Sequence, residues 1–508
     1  MPSHDSYILL TGATGLLGRS LLRDLAAAGR RVAVIVRGSK TAGAAERVDE
    51  LLADWRNVAG VDVPCPVVLE GDLSTDGLGL TAEQRSWIAS NVYEVIHSAA
   101  SLSFQLRESD GEPYTSNVTG TRNMLAVCRD TGIRRLHHVS SAYVCGLRQG
   151  RILESELDVG QTPGNDYERS KITSEAEATG AECLEVCTVH RPSIIVGDLV
   201  NGFTNTFHGF YKPLRIVQPF VEAFVGAEME PGSLLDVLGM TGMECKNLVP
   251  VDWVSAVMTR IILDESLHGR TYHLTSDVPT SVGTLCRVFE GLVVEMAAEL
   301  KRKREAAVSR APGPKPAAAL DPLTLGKLFL DQMHVYKAYW RDDPRFDATN
   351  THRAVPGLPA PALDEETIRR LCRFAIANNF RWPPAGRVPR SSTARATLEG
   401  LLGPATWVTN RSATAFGLAA TGAGGGQWTI AVENGQPVSL HVGLPASSMA
   451  TVWLAADTLE RLLAGTLTVS ELRGRGELAI EAGDSAGRRL AVDMIGRLAS
   501  RPAILAHT

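Results

Sequence analysis

A tyrosine and a lysine stand four residues apart in the segment Tyr167-Glu-Arg-Ser-Lys171. That spacing places both side chains on one face of a helix. A positively charged lysine can lower the pKa of a neighbouring phenol. The phenol can then give a proton to a carbonyl oxygen as hydride reaches the carbon. The pair therefore predicts carbonyl reduction, whereas the alternative is a solvated helix face with no chemistry.

Two polar residues upstream could complete such a site. Ser141 lies at the end of a predicted strand, next to Ser140, and its hydroxyl can donate to a carbonyl oxygen and orient the substrate. Asn117 lies on the helix that leads into this strand. If it is buried, its amide needs a partner, which could be a water in a proton relay; the alternative is an asparagine that faces solvent.

A glycine-rich turn follows the first apolar run of the chain. Residues 7–10 predict a strand that runs directly into Thr11-Gly-Ala-Thr-Gly-Leu-Leu-Gly18, and a helix follows. Backbone N–H groups and the helix dipole at such a turn can hold a pyrophosphate, whereas the alternative is a tight turn without a ligand. The turn residues predicted to bind a dinucleotide are Gly12, Thr14, Gly15, Leu16, Leu17 and Gly18.

The ends of the next strands favour one dinucleotide over the other. The second strand ends at Arg37, where an acidic residue would bond the adenosine ribose and an arginine suits a 2′-phosphate. We therefore expect NADPH as the cofactor. Asp72 and Leu73 follow the third strand, and Ala99 follows the fourth, so these residues are expected at the cofactor as well.

The elements that position these residues repeat in a regular order. Seven apolar runs, at residues 7–10, 32–36, 67–69, 92–96, 136–139, 186–189 and 272–274, alternate with helical patterns. Continuous apolar runs predict an α/β fold with a parallel sheet that is doubly wound, covered on both faces. We place this first domain at residues 1–293 and a helical extension, part of the substrate lobe, at 294–384.

The pattern of apolar residues changes after a predicted linker at residues 385–397, from continuous runs to alternating ones. Alternating runs at 428–432 and 438–442 meet at Asn434-Gly435, which predicts a β-hairpin. Further runs predict strands at 450–455 and 477–481 and a helix at 457–464, with 488–497 completing the pattern. Residues 398–508 are therefore predicted to form a separate small α+β domain.

Composition narrows the classes of function. The 508 residues carry 51 Lys and Arg against 56 Asp and Glu, a net charge of −5, which argues against nucleic-acid binding. Eight scattered cysteines and twelve histidines show no paired ligand spacing, so no metal site is predicted. With no signal peptide and no apolar run long enough for a transmembrane segment, we expect a cytoplasmic protein.

In its order of motifs the sequence resembles the extended short-chain dehydrogenase/reductase superfamily, whose core is a Rossmann-type sheet. The resemblance implies that Tyr167 is the general acid, Lys171 its activator, Ser141 the carbonyl-binding residue and Asn117 the relay residue. Segments 191–197 and 249–252 match later superfamily motifs. By the same resemblance, Pro192 and Ile194 would lie near the nicotinamide.

A narrower resemblance is to fatty acyl-CoA reductases and thioester reductase domains. Segments 96–104, 138–146, 346–351 and 374–382 carry it, and it covers residues 5–385. It implies NADPH-dependent reduction of a long-chain acyl thioester, either acyl-CoA or acyl carrier protein, to the aldehyde, and leaves open whether a second hydride gives the alcohol. A hydroxysteroid, sugar-nucleotide or other lipid alcohol dehydrogenase and a non-catalytic NADP-binding lipid carrier remain as alternatives.

The C-terminal part resembles the SCP2-type lipid-carrier fold over residues 400–505, on the hairpin and on segments 462–470 and 474–480. This resemblance implies an apolar tunnel for acyl chains; the alternative is a packing or dimerisation module. The basic residues 301–304 could contact anionic lipid at a membrane surface or an acidic carrier protein, although a solvated charge run is the favoured interpretation.

Overall fold

The computed structural model describes most of the chain. The residues described are 6–39, 42–59, 63–225, 232–308, 329–330, 333–382, 393–407, 415–422, 424–445, 450–475, 477–482 and 484–500. The strands are β1 (Tyr7–Thr11), β2 (Arg31–Val36), β3 (Val67–Glu70), β4 (Val92–His97), β5 (Arg135–Val139), β6 (Arg151–Ile152), β7 (Val186–Pro192), β8 (Ile194–Val196), β9 (Cys245–Lys246), β10 (Leu248–Pro250), β11 (Thr271–Leu274), β12 (Thr280–Ser281), β13 (Arg345–Phe346), β14 (Ala415–Thr421), β15 (Gly426–Glu433), β16 (Gln436–Val442), β17 (Ala450–Ala455) and β18 (Leu478–Ala482).

Helices connect and cover these strands. The α-helices are α1 (Leu16–Ala27), α2 (Ala44–Ala59), α3 (Ala82–Asn91), α4 (Gly120–Thr131), α5 (Asp166–Thr179), α6 (Lys212–Val217), α7 (Ser233–Leu238), α8 (Val251–Leu263), α9 (Val282–Val308), α10 (Thr349–Ala354), α11 (Glu365–Ala377), α12 (Thr393–Leu402), α13 (Ala456–Leu463), α14 (Val469–Arg475) and α15 (Ser485–Ala499). None of these described helices has the length and apolar character needed to cross a membrane.

A seven-stranded sheet in the order β11-β7-β5-β4-β1-β2-β3 forms the centre of the first part of the chain. Every pairing in it is parallel, and all seven predicted apolar runs are confirmed as its strands. The strands are apolar on both faces because both faces are covered. Helices α1, α2 and α8 pack on one face, and α3 and α4 pack on the other. The α/β class and the doubly wound sheet are therefore confirmed.

The substrate lobe is built on the long helix α9. The boundary predicted between residues 293 and 294 falls inside this helix, which begins at Val282 and ends at Val308. Buried residues of α9, including Val288 and Leu292, pack against Ile368 and Leu371 of α11 in one apolar cluster. The basic residues 301–304 lie in the last turns of α9, where Glu299 pairs with two of them. That pairing agrees with a solvated charge run.

The C-terminal part contains a five-stranded sheet in the order β16-β15-β14-β17-β18, with an apolar core of its own. The predicted hairpin is confirmed: β15 and β16 pair antiparallel, and the turn residues Asn434 and Gly435 have φ of 49° and 72°. The linker predicted at residues 385–397 overlaps α12, which includes residues 393–397. Ala394 and Leu398 are buried in the core of this part, which explains why the segment is helical.

The two parts of the chain are in direct contact. Tyr7 of β1 donates a hydrogen bond to Gln427 of β15 at 3.0 Å. The backbone N–H of Gly424 donates to the buried carboxylate of Asp49 on α2 at 2.9 Å. Burial raises the pKa of Asp49 to about 6, although the hydrogen bond from Gly424 opposes this. The contact therefore contains an acidic group that is costly to ionise.

Candidate active site

The glycine-rich turn approaches neighbouring backbone so closely that side chains at its glycine positions would collide with it. We call this turn the cradle. Gly12 has φ of +75°, and a Cβ there would lie 2.7 Å from the backbone nitrogen of Ala99. A Cβ on Gly18 would collide with the carbonyl of Gly12. Helix α1 begins at the end of this turn without a side-chain cap. The first N–H groups of α1 are therefore available to an anion such as the pyrophosphate of a dinucleotide.

Two arginines lie together at the end of β2. The exposed Arg37 pairs with Asp72 at 3.5 Å, so two residues predicted from different strand ends are brought together. Arg47 of α2 donates to the carbonyl of Arg37 and, at 3.3 Å, to the hydroxyl of Thr14. The sequence analysis missed Arg47, because nothing in its helical context distinguishes it from a surface arginine.

Tyr167 and Lys171 lie on α5 as predicted, and Ser141 lies at the end of β5. Burial raises the pKa of Tyr167 to about 12, while a hydrogen bond with Ser141 opposes the increase. The expected lowering of this pKa is therefore not what the structure shows, because burial outweighs the favourable contacts. The phenol stays protonated at neutral pH, which is the form that a general acid requires.

The ammonium group of Lys171 is buried and already oriented. Its Nζ donates to the carbonyl of Val139 at 2.7 Å, and only 3% of the residue is exposed. Burial lowers the pKa of Lys171 to about 8, and the carboxylate of Glu175 acts in the opposite direction. Glu175 itself is bonded to the buried guanidinium of Arg191, at the end of β7. Lys171 is therefore close to its titration point at physiological pH.

Asn117 is buried, but its amide is fully engaged. Its Oδ1 accepts from the backbone N–H of Ser101 at 2.7 Å, and its Nδ2 donates to the carbonyl of Ser101 and to the hydroxyl of Ser170. The residue thus joins the loop after β4 to α5, one position before Lys171. Its role in a water relay stays a prediction.

A single cavity of about 580 Å³ runs past these groups. The predicted residues that line it are Gly12, Gly15, Leu16, Leu17, Gly18, Ser141, Tyr167, Lys171, Pro192 and Ile194. The predicted residues outside its lining are Thr14, Arg37, Asp72, Leu73, Ala99 and Asn117. Beyond Tyr167 the cavity becomes an apolar chamber in the substrate lobe, with walls that include Leu234, Leu238, Met240, Leu285, Phe289 and Met333.

A polar group that the sequence analysis missed also reaches this cavity. Lys246 lines it, and its Nζ donates to the carboxylate of Asp343 at 2.8 Å. The same carboxylate accepts from the hydroxyl of Tyr143 at 2.6 Å. Tyr143 lies in segment 138–146, whereas Lys246 and Asp343 lie outside the sequence motifs, so only the tertiary fold brings the three together.

Comparison with known proteins agrees with this geometry. Residues 10–258 match the profile of an NAD-binding family described as Male sterility protein. The fatty acyl-CoA reductase wat of Drosophila melanogaster is 26% identical over 243 residues, which cover 46% of this chain and 43% of that protein. The non-reducing polyketide synthase pkiA of Emericella nidulans is 25% identical over 290 residues, 55% of this chain and 11% of that protein.

Among solved structures, the terminal R domain from the myxalamid PKS-NRPS biosynthetic pathway has a TM-score of 0.55 and 23% identity, covering 76% of this chain and 94% of that chain. This likeness shows a shared fold. The chain spans less than half the length of the two curated relatives. Residues 10–258, just under half of the chain, therefore match an NAD-binding family.

Proposed function

We propose that the protein catalyses NADPH-dependent reduction of a long-chain acyl thioester, carried by CoA or an acyl carrier protein, to the aldehyde and then the alcohol. The observation that carries this proposal is the continuity of one cavity, from the glycine turn past Tyr167 into an apolar chamber. Its volume lies within the range of ordinary ligand sites. Relatives named as fatty acyl-CoA reductases support the choice of substrate class.

In the proposed reaction, different residues of the chain have different roles. NADPH, when bound, supplies the hydride that enters the thioester carbonyl carbon. The cradle of the glycine turn suits its pyrophosphate, and Lys171 is placed to bind the ribose hydroxyls. Tyr167 donates its proton to the carbonyl oxygen as negative charge develops there, and Ser141 hydrogen-bonds the same oxygen.

The product of this step is a hemithioacetal, which collapses to aldehyde and free thiol. The hydroxyl proton of the hemithioacetal passes to the departing sulfur, and a proton from solvent restores the Tyr167 phenol. For a second reduction, of the aldehyde to the alcohol, Tyr167 would again supply the proton to the carbonyl oxygen. Because the chamber is apolar, it can hold the alkyl chain of the aldehyde between the two steps.

We propose NADPH rather than NADH because two cations flank the end of β2. The guanidinium of Arg47 donates to the backbone carbonyl of Arg37 there, and the guanidinium of Arg37 pairs with Asp72. A 2′-phosphate carries about two negative charges, and paired guanidinium groups bind phosphate oxygens well. A single exposed arginine would be weaker support than this pair.

The proposal is tested by NADPH consumption with palmitoyl-CoA, with products identified by mass spectrometry. We expect aldehyde or alcohol from the wild type and none above background from Tyr167→Phe. Turnover with a carrier-protein thioester alone would identify the thiol carrier. Activity only on a steroid alcohol, or equal activity of Tyr167→Phe, would contradict the proposal.

We further propose residues 398–508 as a lipid-carrier unit and residues 1–384 as the reductase with its helical extension. The sheet and helices of the C-terminal part enclose a core filled by their own side chains, such as Leu418, Leu459 and Met494. A bound acyl chain would therefore have to displace part of this core. Titration of the full chain with a fluorescent fatty acid, with the reductase cavity saturated by substrate analogue, should reveal a second equivalent of binding. A single equivalent would restrict lipid to the reductase cavity.

A further inference from the structure

Three potential metal ligands meet on one side of the seven-stranded sheet, apart from the active site. Glu94 is on β4, His137 is on β5, and His268 is in the segment between α8 and β11. Their ligand atoms all lie within 4.8 Å of one another. Glu94 and His137 are buried and His268 is half-buried. None of the three lines the active-site cavity.

Two of these side chains keep one ligand atom without a protein partner. Glu94 accepts a hydrogen bond from Tyr93 at 2.6 Å through Oε1, and its buried Oε2 has no partner among the described residues. His268 contacts the carbonyl of Ile262 through Nε2 at 3.1 Å. Since a carbonyl can only accept, this Nε2 carries the proton. The buried Nδ1 of His268 therefore holds a lone pair, and the described residues give it no donor.

The third side chain is arranged in the same way. His137 contacts Nε2 of His190 through its Nδ1 at 3.1 Å. Its Nε2 lies 3.7 Å from Oε2 of Glu94, which is longer than a hydrogen bond. When His137 donates through Nδ1, its Nε2 presents a lone pair to a buried carboxylate. A buried carboxylate beside two lone pairs favours a cation, because burial makes unpaired negative charge costly.

We propose that Glu94, His137 and His268 bind a divalent transition metal, in the first instance Zn²⁺. Two imidazoles and a carboxylate form a donor set that suits zinc, with solvent as the fourth ligand on the half-buried side. A triangle with one side of 3.7 Å and two sides of 4.8 Å has its centre about 2.6 Å from each corner, so inward movement of about 0.5 Å per ligand gives normal zinc bonds.

Contacts around the ligands favour this assignment. Metal-bound histidines usually donate their second N–H to a carbonyl or to another acceptor, which fixes the tautomer. Ile262 and His190 are placed to do this for His268 and His137. The ion would join β4, β5 and the segment before β11, a structural role outside the cavity. No motif indicates this site, because its ligands lie far apart in the sequence, at positions 94, 137 and 268.

The test is the zinc content of the full chain, purified without a histidine tag from zinc-supplemented medium. By inductively coupled plasma mass spectrometry we expect about one zinc per chain for the wild type and less than one-tenth for His268→Gln. The matched control is His352→Gln, because His352 is an exposed histidine that pairs with Asp277 at 3.0 Å elsewhere on the surface. This control should retain the zinc of the wild type.

A second variant and a second readout keep the proposal independent of folding defects. Glu94→Gln preserves the shape of the carboxylate and should weaken zinc binding at least a hundredfold in a competition titration with a chelating dye. Chelation should lower the Tm of the wild type and leave that of His268→Gln unchanged. Wild-type protein without stoichiometric zinc after dialysis against Zn²⁺, or equal zinc in His268→Gln, would overturn the proposal. The cluster would then hold a water or share a proton between Glu94 and His137.

Discussion

The pKa of Lys171 makes the alkaline limit of activity predictable. Burial lowers this pKa from 10.5 to about 8, a shift that corresponds to roughly 3 kcal/mol of unfavourable charge burial. In the proposed mechanism the charged ammonium orients the cofactor ribose and stabilises negative charge near the phenol, so its deprotonation should lower activity. We therefore expect kcat/KM to be level near pH 7 and to fall about tenfold per pH unit above 8. Tyr167 does not titrate in this range, because its pKa is about 12.

The substitution that isolates this effect is Lys171→Arg. Arginine stays charged throughout the accessible pH range, so the alkaline limb should disappear up to pH 10. The level of activity should fall by about one to two orders of magnitude, since a planar guanidinium does not reproduce the contact of Nζ with Val139. Lys337→Arg, at an exposed lysine outside the cavity lining, is the matched control and should retain the limb.

Initial rates at several substrate concentrations, measured from pH 6 to 10, give these profiles of activity against pH.

The lowered pKa of Lys171 also predicts that the stability of the fold rises with pH over the range in which activity falls. In the unfolded chain Lys171 keeps its proton up to about pH 10.5, so between pH 8 and 9.5 the free energy of unfolding should rise by about 2 kcal/mol relative to Lys171→Arg. A limb that persists in Lys171→Arg, or a flat wild-type profile to pH 9.5, would refute the assignment of this ionisation to Lys171.

Three further predictions follow from the geometry. Tyr167→Phe should lower kcat by about 10²- to 10⁴-fold while NADPH affinity, measured by fluorescence titration, changes less than twofold. Replacing both Arg37 and Arg47 by alanine should raise the KM for NADPH roughly tenfold or more and leave the KM for NADH nearly unchanged. The control is Arg129→Ala, at an exposed arginine of α4, which should alter neither KM. Asp49→Asn removes a carboxyl whose pKa is raised to about 6 by burial, so the stability of the wild type falls as the pH rises from about 4 to 6. Above pH 6 the variant should therefore be about 2 kcal/mol more stable than the wild type in denaturant titrations. An unchanged denaturation midpoint at pH 7.5 would contradict the reasoning.

The sheet could be predicted because its strands carry a local signal. Each of the seven strands is a short apolar run, buried on both faces, between helical patterns. Strand β14 was missed because Gly417, Ala419 and Ala420 are small and carry little β-propensity, although β14 is the central strand of its sheet. The boundary at residue 293 was misplaced because no capping residue or proline interrupts α9 there.

The residues of the candidate site also fall into those that the sequence could predict and those that it could not. Tyr167 and Lys171 could be predicted from helical spacing, and the glycine turn from its place between a strand and a helix. Lys246 and Arg47 could not, because their positions depend on how the substrate lobe and α2 pack. The pKa of Tyr167 was misjudged for a related reason: spacing reveals a charged neighbour, whereas the extent of burial is known only from the fold.

A buried chain of hydrogen bonds connects the cofactor turn to the catalytic helix. Thr11 contacts Nδ1 of His97 at 2.9 Å, and Nε2 of His97 contacts Thr121 at 3.2 Å. Thr121 donates to the carbonyl of Asn117, whose amide in turn donates to Ser170 on α5. Burial, with a smaller contribution from the charge of the catalytic lysine, lowers the pKa of His97 to about 3, so the chain stays neutral over the working pH range. Because every link is buried and paired, a shift of the glycine turn would break bonds that also hold α5. The relative position of the glycine turn and α5 is therefore fixed by these side chains as well as by the sheet.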